Sequence, residues 1–487
     1  MYDVMKQVIN GLFFFIAIIY TYKRYKFRQF SGPMPLPLIG NLYDPKSMSV
    51  ITYINSCIRK YGPIFTFWAG YKPMLVICEP ALVRKILTNT SIFVKGPDYT
   101  EKFSVVFGRG LVTSNGKKHK EDRGCLGRFF TKSYVALHYQ MICENTDKMI
   151  SEELMPNLDK IIDMQDFFHI LSLRIFGEFS IGMDYSLPEN HDAAKALNTG
   201  VKEGSNIIGT HIILNIPMLS FLPSVKKVKK IVTNVNNHIN NIISERHTII
   251  VKNELINKPV NDDILTTLIL RNPENKLDES KKKDIQDHLR TTLAAGHDTT
   301  AFFGCYMAYL LSKHPDIQDK IRNEIRTQLQ DTTYITEEDV DKLTYCRCVL
   351  QEVLRLYTVI PFINRTSTKD YFIETTGQTI PANTTILVPL SIMNRNETIW
   401  ENPNHFNPER FLNIAGHNNA KMGYLPFGYG SRSCIGANLA LTEGIIMMVK
   451  LVSLFKIHPD PNFKPKIIAG ISLISKNGIN VKLEKIE

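Results

Sequence analysis

The pattern of apolar and polar positions divides the chain into three stretches. The first is an apolar run from Val8 to Tyr22, interrupted by Asn10 and Thr21 and followed at once by Lys23-Arg24-Tyr25-Lys26-Phe27-Arg28. It predicts an uncleaved membrane anchor with a basic stop over residues 1–30. A helical run of that length spans about 22 Å, short for about 30 Å of hydrocarbon but workable where flanking tyrosines and lysines snorkel. A cleaved signal would carry a small-residue cleavage site and place its positive charge ahead of the apolar run. By the positive-inside rule, everything after the basic cluster faces the cytoplasm. The second stretch, residues 31–41, contains Gly32-Pro33-Met34-Pro35-Leu36-Pro37-Leu38-Ile39-Gly40, whose alternating prolines end any helix and predict a stiff hinge. In the third, residues 42–487, segments such as Tyr71 to Cys78 have the look of short strands, and helical spacing prevails from about residue 135. Helices are predicted at 281–313, 315–329, 337–357 and 436–455, with an irregular stretch at 395–433. The expected architecture is mainly α with small β-sheets.

Composition agrees with a packed chain: 44% of residues are hydrophobic and 22% charged. Length alone leaves two or three domains, or one large domain with a tail, equally open, and there is no internal repeat. The net charge of +11 suits an acidic partner protein, an anionic membrane or nucleic acid. Nucleic acid is disfavoured, because the basic residues lie in small groups such as Lys226-Lys227 and Lys281-Lys282-Lys283 with no stacking aromatics between them, as on solvated helix faces. The eight cysteines are too thinly spread for a disulfide framework and point to a reducing compartment. Cys346 and Cys348 are badly spaced for zinc and read as packing residues.

Chemistry concentrates in three places. Pro426-Phe427-Gly428-Tyr429-Gly430-Ser431-Arg432-Ser433-Cys434-Ile435-Gly436 is a glycine-rich loop that presents one sulfur where a helix starts. The free amides there favour thiolate, the metal-binding form. Gly428, Gly430 and Gly436 allow backbone to approach a flat cofactor, and Arg432 is placed to pair with a carboxylate on it. Read alone, the string also suits a structural turn around a buried cysteine. Ala294-Ala295-Gly296-His297-Asp298-Thr299-Thr300 interrupts a long apolar helix. Glycine weakens the ladder and Thr hydroxyls bond the carbonyl a turn back, so water could enter beside an acid able to pass protons; a packing kink with a solvent-facing Asp is the alternative. Glu352-Val353-Leu354-Arg355 sets an acid and a base on one helix face.

Together these segments resemble the cytochrome P450 family. The cysteine loop matches its haem-ligand loop at Phe427, Gly430, Arg432, Cys434 and Gly436, with Ala440 one turn further on. The second segment resembles the family's oxygen-binding groove, and Trp400-Glu401-Asn402-Pro403 through Pro408-Glu409-Arg410-Phe411 its partner to the Glu352 motif. The resemblance implies a single large haem domain behind a membrane anchor, with haem b as cofactor and Cys434 as the axial ligand of its iron. It implies Thr299 to steady dioxygen, Asp298 to relay protons and no role for His297. Glu352, Arg355 and Arg410 would brace the cysteine loop, while Arg365 and Arg123 would hold haem propionates. Two positions depart from the family: His119 replaces a Trp, although His can also donate to a propionate, and Thr358 replaces a common Pro. Phe103, Ala295, Ile360 and Phe362 would line the substrate pocket.

The implied activity is monooxygenation of an apolar lipid, sterol, terpenoid or xenobiotic, at the cytoplasmic face of the endoplasmic reticulum membrane. Electrons would come from NADPH through a flavoprotein reductase docking at Lys117, Lys118 and Lys120, whose other reading is a solvated helix end. Ile212 to Pro223 would either dip into lipid as a substrate entrance or form a core turn. The rival readings are a haem-thiolate isomerase or dehydratase, which Thr299 and Asp298 argue against, and a haem carrier or gas sensor, which needs neither relay nor anchor.

Overall fold

The fold is organised around one helix, Glu279–Ser312, which starts where the Asp278 side chain accepts the Lys281 N–H at 2.8 Å. From Ile285 onward nearly every residue is buried, polar ones such as Asp287, Arg290 and Asp298 among them. The computed structural model describes residues 2–41, 49–213, 221–256, 260–271, 277–412 and 418–486, and the apolar stretch Ile212 to Pro223 lies largely outside them. Helix Met164–Ile181 crosses the central helix closely at two glycines. A methyl on Gly296 would overlap the Phe176 ring and one on Gly304 the Phe168 ring. Gly296 therefore serves helix–helix packing, and the helix runs through it without a break.

Helices Thr344–Leu356 and Ala437–Leu454 complete this core. Ala437–Leu454 is the one described helix long and apolar enough to cross a membrane, and it is the core helix that follows the cysteine loop, mostly buried. The helix expected over 337–357 is two, Glu337–Lys342 and Thr344–Leu356. The second begins afresh because the Glu324 carboxylate accepts the N–H groups of Tyr345 and Cys346 at 2.6 and 2.8 Å. Cys346 and Cys348 are buried packing residues on it.

Beside the helices lies a five-stranded sheet in the order Ile64–Ala69, Lys72–Ile77, Thr385–Val388, Ile363–Ser367, Phe93–Val94, with only the second pairing parallel. A three-stranded sheet and two hairpins, one of them Ile467–Ala469 with Leu473–Ser475, complete the β-structure. The proline-rich segment is docked rather than a free spacer. Leu36 and Gly40 exchange backbone hydrogen bonds at 2.8 Å, and Gly40 pairs with Ala69 at the sheet edge. Buried Asn41 donates to the carbonyls of Pro33 and Met34 and accepts the Trp68 N–H at 2.7 Å. The N-terminal helix spans Tyr2–Lys26, longer than the apolar run alone. Its end is also docked: Tyr20 Oη donates to the Pro35 carbonyl at 2.6 Å, Lys23 reaches the Tyr71 carbonyl, and Phe27 and Phe30 are buried.

Candidate active site

The cysteine loop is pinned by its own backbone, by Arg123 from elsewhere and by its own Arg432 reaching out. The Cys434 N–H donates to the Phe427 carbonyl at 2.8 Å, and Arg123 donates to the Ser433 carbonyl at 2.8 Å. Arg432 reaches the Ser114 carbonyl at 2.6 Å and Asn115 Oδ1 at 3.0 Å. Gly428 and Gly430 both hold φ +73°, and a side chain on Gly430 would press on the Leu87 carbonyl. Gly436 has φ −88° and needs no glycine on that account; it packs near Phe130.

Cys434 presents an exposed surface although protein encloses it on every side, because that surface is the wall of an internal, mostly apolar cavity. Burial raises its thiol pKa, while the Gly436 N–H at the helix start and Arg123 pull the other way. Desolvation thus outweighs the helix terminus in the bare protein, and coordination to a metal deprotonates a thiol outright.

The cavity is walled by Ala295, Gly296, Thr299 and Thr300 of the central helix, by Val359, Ile360 and Ile363, and by Phe427, Gly428 and Gly436. Thr299 Oγ1 donates to the Ala295 carbonyl at 2.7 Å, and Thr299 is a polar point in a mostly apolar wall. Asp298 does not line the cavity; its Oδ2 accepts from Ser472 Oγ at 3.0 Å. Burial raises its pKa to about 7, the Ser472 hydrogen bond working against that rise. Neighbouring His297 donates from Nδ1 to the Leu293 carbonyl, and burial lowers it to about 4.

Three cations converge on one edge of the cavity: Arg365, Arg432 and Lys95, of which Lys95 escaped the sequence reading. Burial lowers the pKa of each; repulsion from Arg365 and Arg432 lowers Lys95 further, and burial with repulsion from Arg365 and Arg123 brings Arg432 to about 10. Among the described residues the only acid lining the cavity is Glu443, also unanticipated, whose carboxyl has no hydrogen-bond partner and is pushed well up by burial alone. The cationic edge is therefore uncompensated. His119 and Arg123 stand behind it, and burial, with Arg432 and Arg123 adding to it, lowers His119 to about 4, so it is neutral near pH 7. Nothing in the local sequence of Lys95 marks it; its place at the cavity comes from packing alone.

Of the expected substrate-lining residues, Ala295 and Ile360 face this cavity. Phe362 packs against the outer sheet cluster of Ile54, Phe65 and Val76, because alternation along the strand turns Ile363 and Arg365 inward instead. Phe103 lies in a neighbouring apolar wall with Val106, Phe107 and Ala294.

Glu352 and Arg355 form a fully buried bidentate pair at 2.6 and 2.8 Å, not a surface pair. Arg410 joins Glu352 Oε1 at 3.0 Å, and Arg355 also binds the carbonyls of Asn394 and Pro403. Thr358 replaces the proline turn with a hydroxyl that donates to the Leu354 carbonyl and accepts from Asn394 Nδ2 at 2.7 Å.

These features test the fit of a cofactor. No cluster of three or more His, Cys, Asp or Glu able to hold a bare metal ion occurs among the described residues. A lone cysteine facing an apolar cavity with an unbalanced cationic edge suits a flat, apolar, anionic metal macrocycle, the class of a haem-thiolate protein. The Cytochrome P450 family profile matches residues 30–483. The chain is 27% identical to Cytochrome P450 4c21 of Blattella germanica, covering 93% of this chain and 94% of that protein. It is 26% identical to Cytochrome P450 3A28 of Bos taurus, over 91% and 89%, and 28% identical to Taurochenodeoxycholic 6 alpha-hydroxylase of Sus scrofa, over 86% and 83%. The chain belongs to the cytochrome P450 family and is a monooxygenase of the oxidoreductase class.

Proposed function

We propose that the protein hydroxylates an apolar small molecule of the lipid, sterol, terpenoid or xenobiotic class. The observation that carries this is that Thr299, Ala295 and Cys434 line one mostly apolar cavity. The naming of one relative as Taurochenodeoxycholic 6 alpha-hydroxylase supports hydroxylation as the reaction. Haem b, when bound, supplies activation of dioxygen and insertion of one of its atoms into a C–H bond. Cys434 donates the thiolate, and Lys95, Arg365 and Arg432 neutralise the propionates, with His119 and Arg123 behind them. Phe427, Gly428, Gly430 and Gly436 shape the loop that holds the sulfur. Thr299 orients a hydrogen bond in the cavity, and Asp298 holds a proton beside it.

Electrons come from NADPH through a flavoprotein reductase. Of its expected docking lysines, Lys118 is engaged by Asp284 at 2.8 Å and by Asp122, and Lys117 lies 3.7 Å from Glu121, so exposed Lys120 is the one less committed. The N-terminal helix anchors residues 42–487, the catalytic domain, to the endoplasmic reticulum membrane, and the exposure of Phe14, Phe15, Ile18 and Tyr22 along it supports this.

The test is the carbon monoxide band of the reduced protein. Wild type is expected to show the red-shifted thiolate band and Cys434→Ala to lack it. A histidine-type band in folded wild type overturns the reading. NADPH consumption with reductase and dioxygen then separates a monooxygenase from an isomerase or a haem carrier, neither of which consumes it.

A further inference from the structure

Asp298 sits on the central helix one residue before cavity-lining Thr299, yet its carboxyl is turned out of the cavity onto a different element. Its partner, Ser472, lies at the tip of the hairpin Ile467–Ala469/Leu473–Ser475, and both residues are buried. Among the described residues Ser472 is the one side chain bonded to it. The other titratable groups around Asp298 are His297, Cys305 and Tyr306 on its own helix and His169 on helix Met164–Ile181, which lies against His297. Burial holds both histidines neutral and raises the Cys305 and Tyr306 pKa values, so no cation competes for the carboxylate.

The same hairpin tip is fastened to the cavity wall. The Leu473 N–H donates to the Val359 carbonyl at 2.7 Å, and Val359 and Ile360 line the cavity. The Leu473 carbonyl accepts from Tyr306 Oη at 2.8 Å, which ties the hairpin back to the central helix beyond Asp298. Ile471 packs into the apolar wall that contains Phe103 and Ala294. Consecutive residues of one tight turn therefore touch the acid, the apolar wall and the strand-entry loop of the cavity.

We infer that Ser472 is a positioning residue for Asp298: from the hairpin tip it holds the carboxyl in place, and the hairpin's attachment to Val359 links that placement to what fills the cavity. The inference rests on the reading of Asp298 as the group that holds the transferable proton. A buried hydroxyl that merely satisfied a buried acid would contribute stability without touching proton delivery, and that difference is measurable.

The test compares haem-loaded wild type, Ser472→Ala, Ser472→Thr and Asp298→Asn, each checked for the thiolate carbon monoxide band. The Asp298 carboxyl is titrated by infrared spectroscopy, its band assigned by its loss in Asp298→Asn, and the pH profile of NADPH oxidation is recorded with reductase present. Losing a donor to a carboxylate raises its pKa, so both inflections are expected to move up together in Ser472→Ala by roughly one pH unit and to return in Ser472→Thr. Filling the cavity with phenylimidazole is expected to shift the carboxyl band in wild type and not in Ser472→Ala. A carboxyl titration unchanged in Ser472→Ala overturns the inference. So does a rate profile that stays put while Asp298→Asn abolishes its inflection, since Ser472 is then structural only. A phenylimidazole shift absent from wild type removes the link to the cavity. An inflection that persists in Asp298→Asn overturns the reading of Asp298 itself.

Discussion

A buried carboxyl with no hydrogen-bond partner among the described residues, such as Glu443, favours its protonated form, because burial removes the solvation its anion needs. Its pKa is therefore higher in the folded chain than in the unfolded one. The folded state keeps a proton that the unfolded state releases as the pH passes ~4.3, and the stability this represents is lost as pH rises from there toward the folded pKa. Glu443→Gln, which cannot ionise, is expected to lose less stability between pH 5 and pH 8 than wild type, a difference of roughly a few °C in thermal midpoint; equal slopes for the two would mean the carboxyl is ionised or solvated. Asp298, raised to about 7, adds a contribution of the same sign. At this scale Cys434, Arg432 and Thr299 could be read from local pattern because each sits in a string of unusual residues. Lys95 and Glu443 could not, since what distinguishes them is burial against segments far away in the chain.

At the scale of elements, the glycine of the central helix offers a test of two physical accounts. Helix propensity alone predicts that Gly296→Ala stabilises by about 1 kcal/mol. Packing predicts the reverse, because the new methyl would meet Phe176, and overpacking costs about 1–3 kcal/mol. We expect a net destabilisation in chemical denaturation, relieved in the double variant Gly296→Ala/Phe176→Leu. The Glu352–Arg355–Arg410 cluster is the second case. Removing one partner strands a charge in the interior, at a cost of about 3–5 kcal/mol. Arg355→Ala is expected to yield little haem-loaded protein, whereas Arg410→Lys, at the less buried end, retains a larger share by the carbon monoxide band. The sequence placed Glu352 and Arg355 on one face, but a surface pair and a buried brace have the same spacing. Only the meander around Asn394, Pro403 and His405 distinguishes them, by supplying carbonyls to the arginine.

Across the whole molecule, the N-terminal helix and proline segment are part of the folded domain at their junction with the sheet. Phe27 and Phe30 are buried beside Leu75 and Ile77, and Gln29 exchanges hydrogen bonds with Gln378 and Thr379. Deleting residues 1–19 is accordingly expected to leave the thermal midpoint unchanged, while deleting 1–30 lowers it by several °C through the loss of those two rings; equal midpoints would show the docking to be incidental. Periodicity over long segments and the strings around Cys434, Asp298 and Glu352 pointed to the helical class, the family and the candidate site residues, because these signals lie in consecutive residues and need no partner. Three-dimensional packing settled which side chains face the cavity, which charges gather without counter-charges, where Asp298 points and whether the proline segment swings free. Each of these depends on contacts between separate segments, from Gly40 against Ala69 to Asp298 against Ser472, and local pattern carries no information about such contacts.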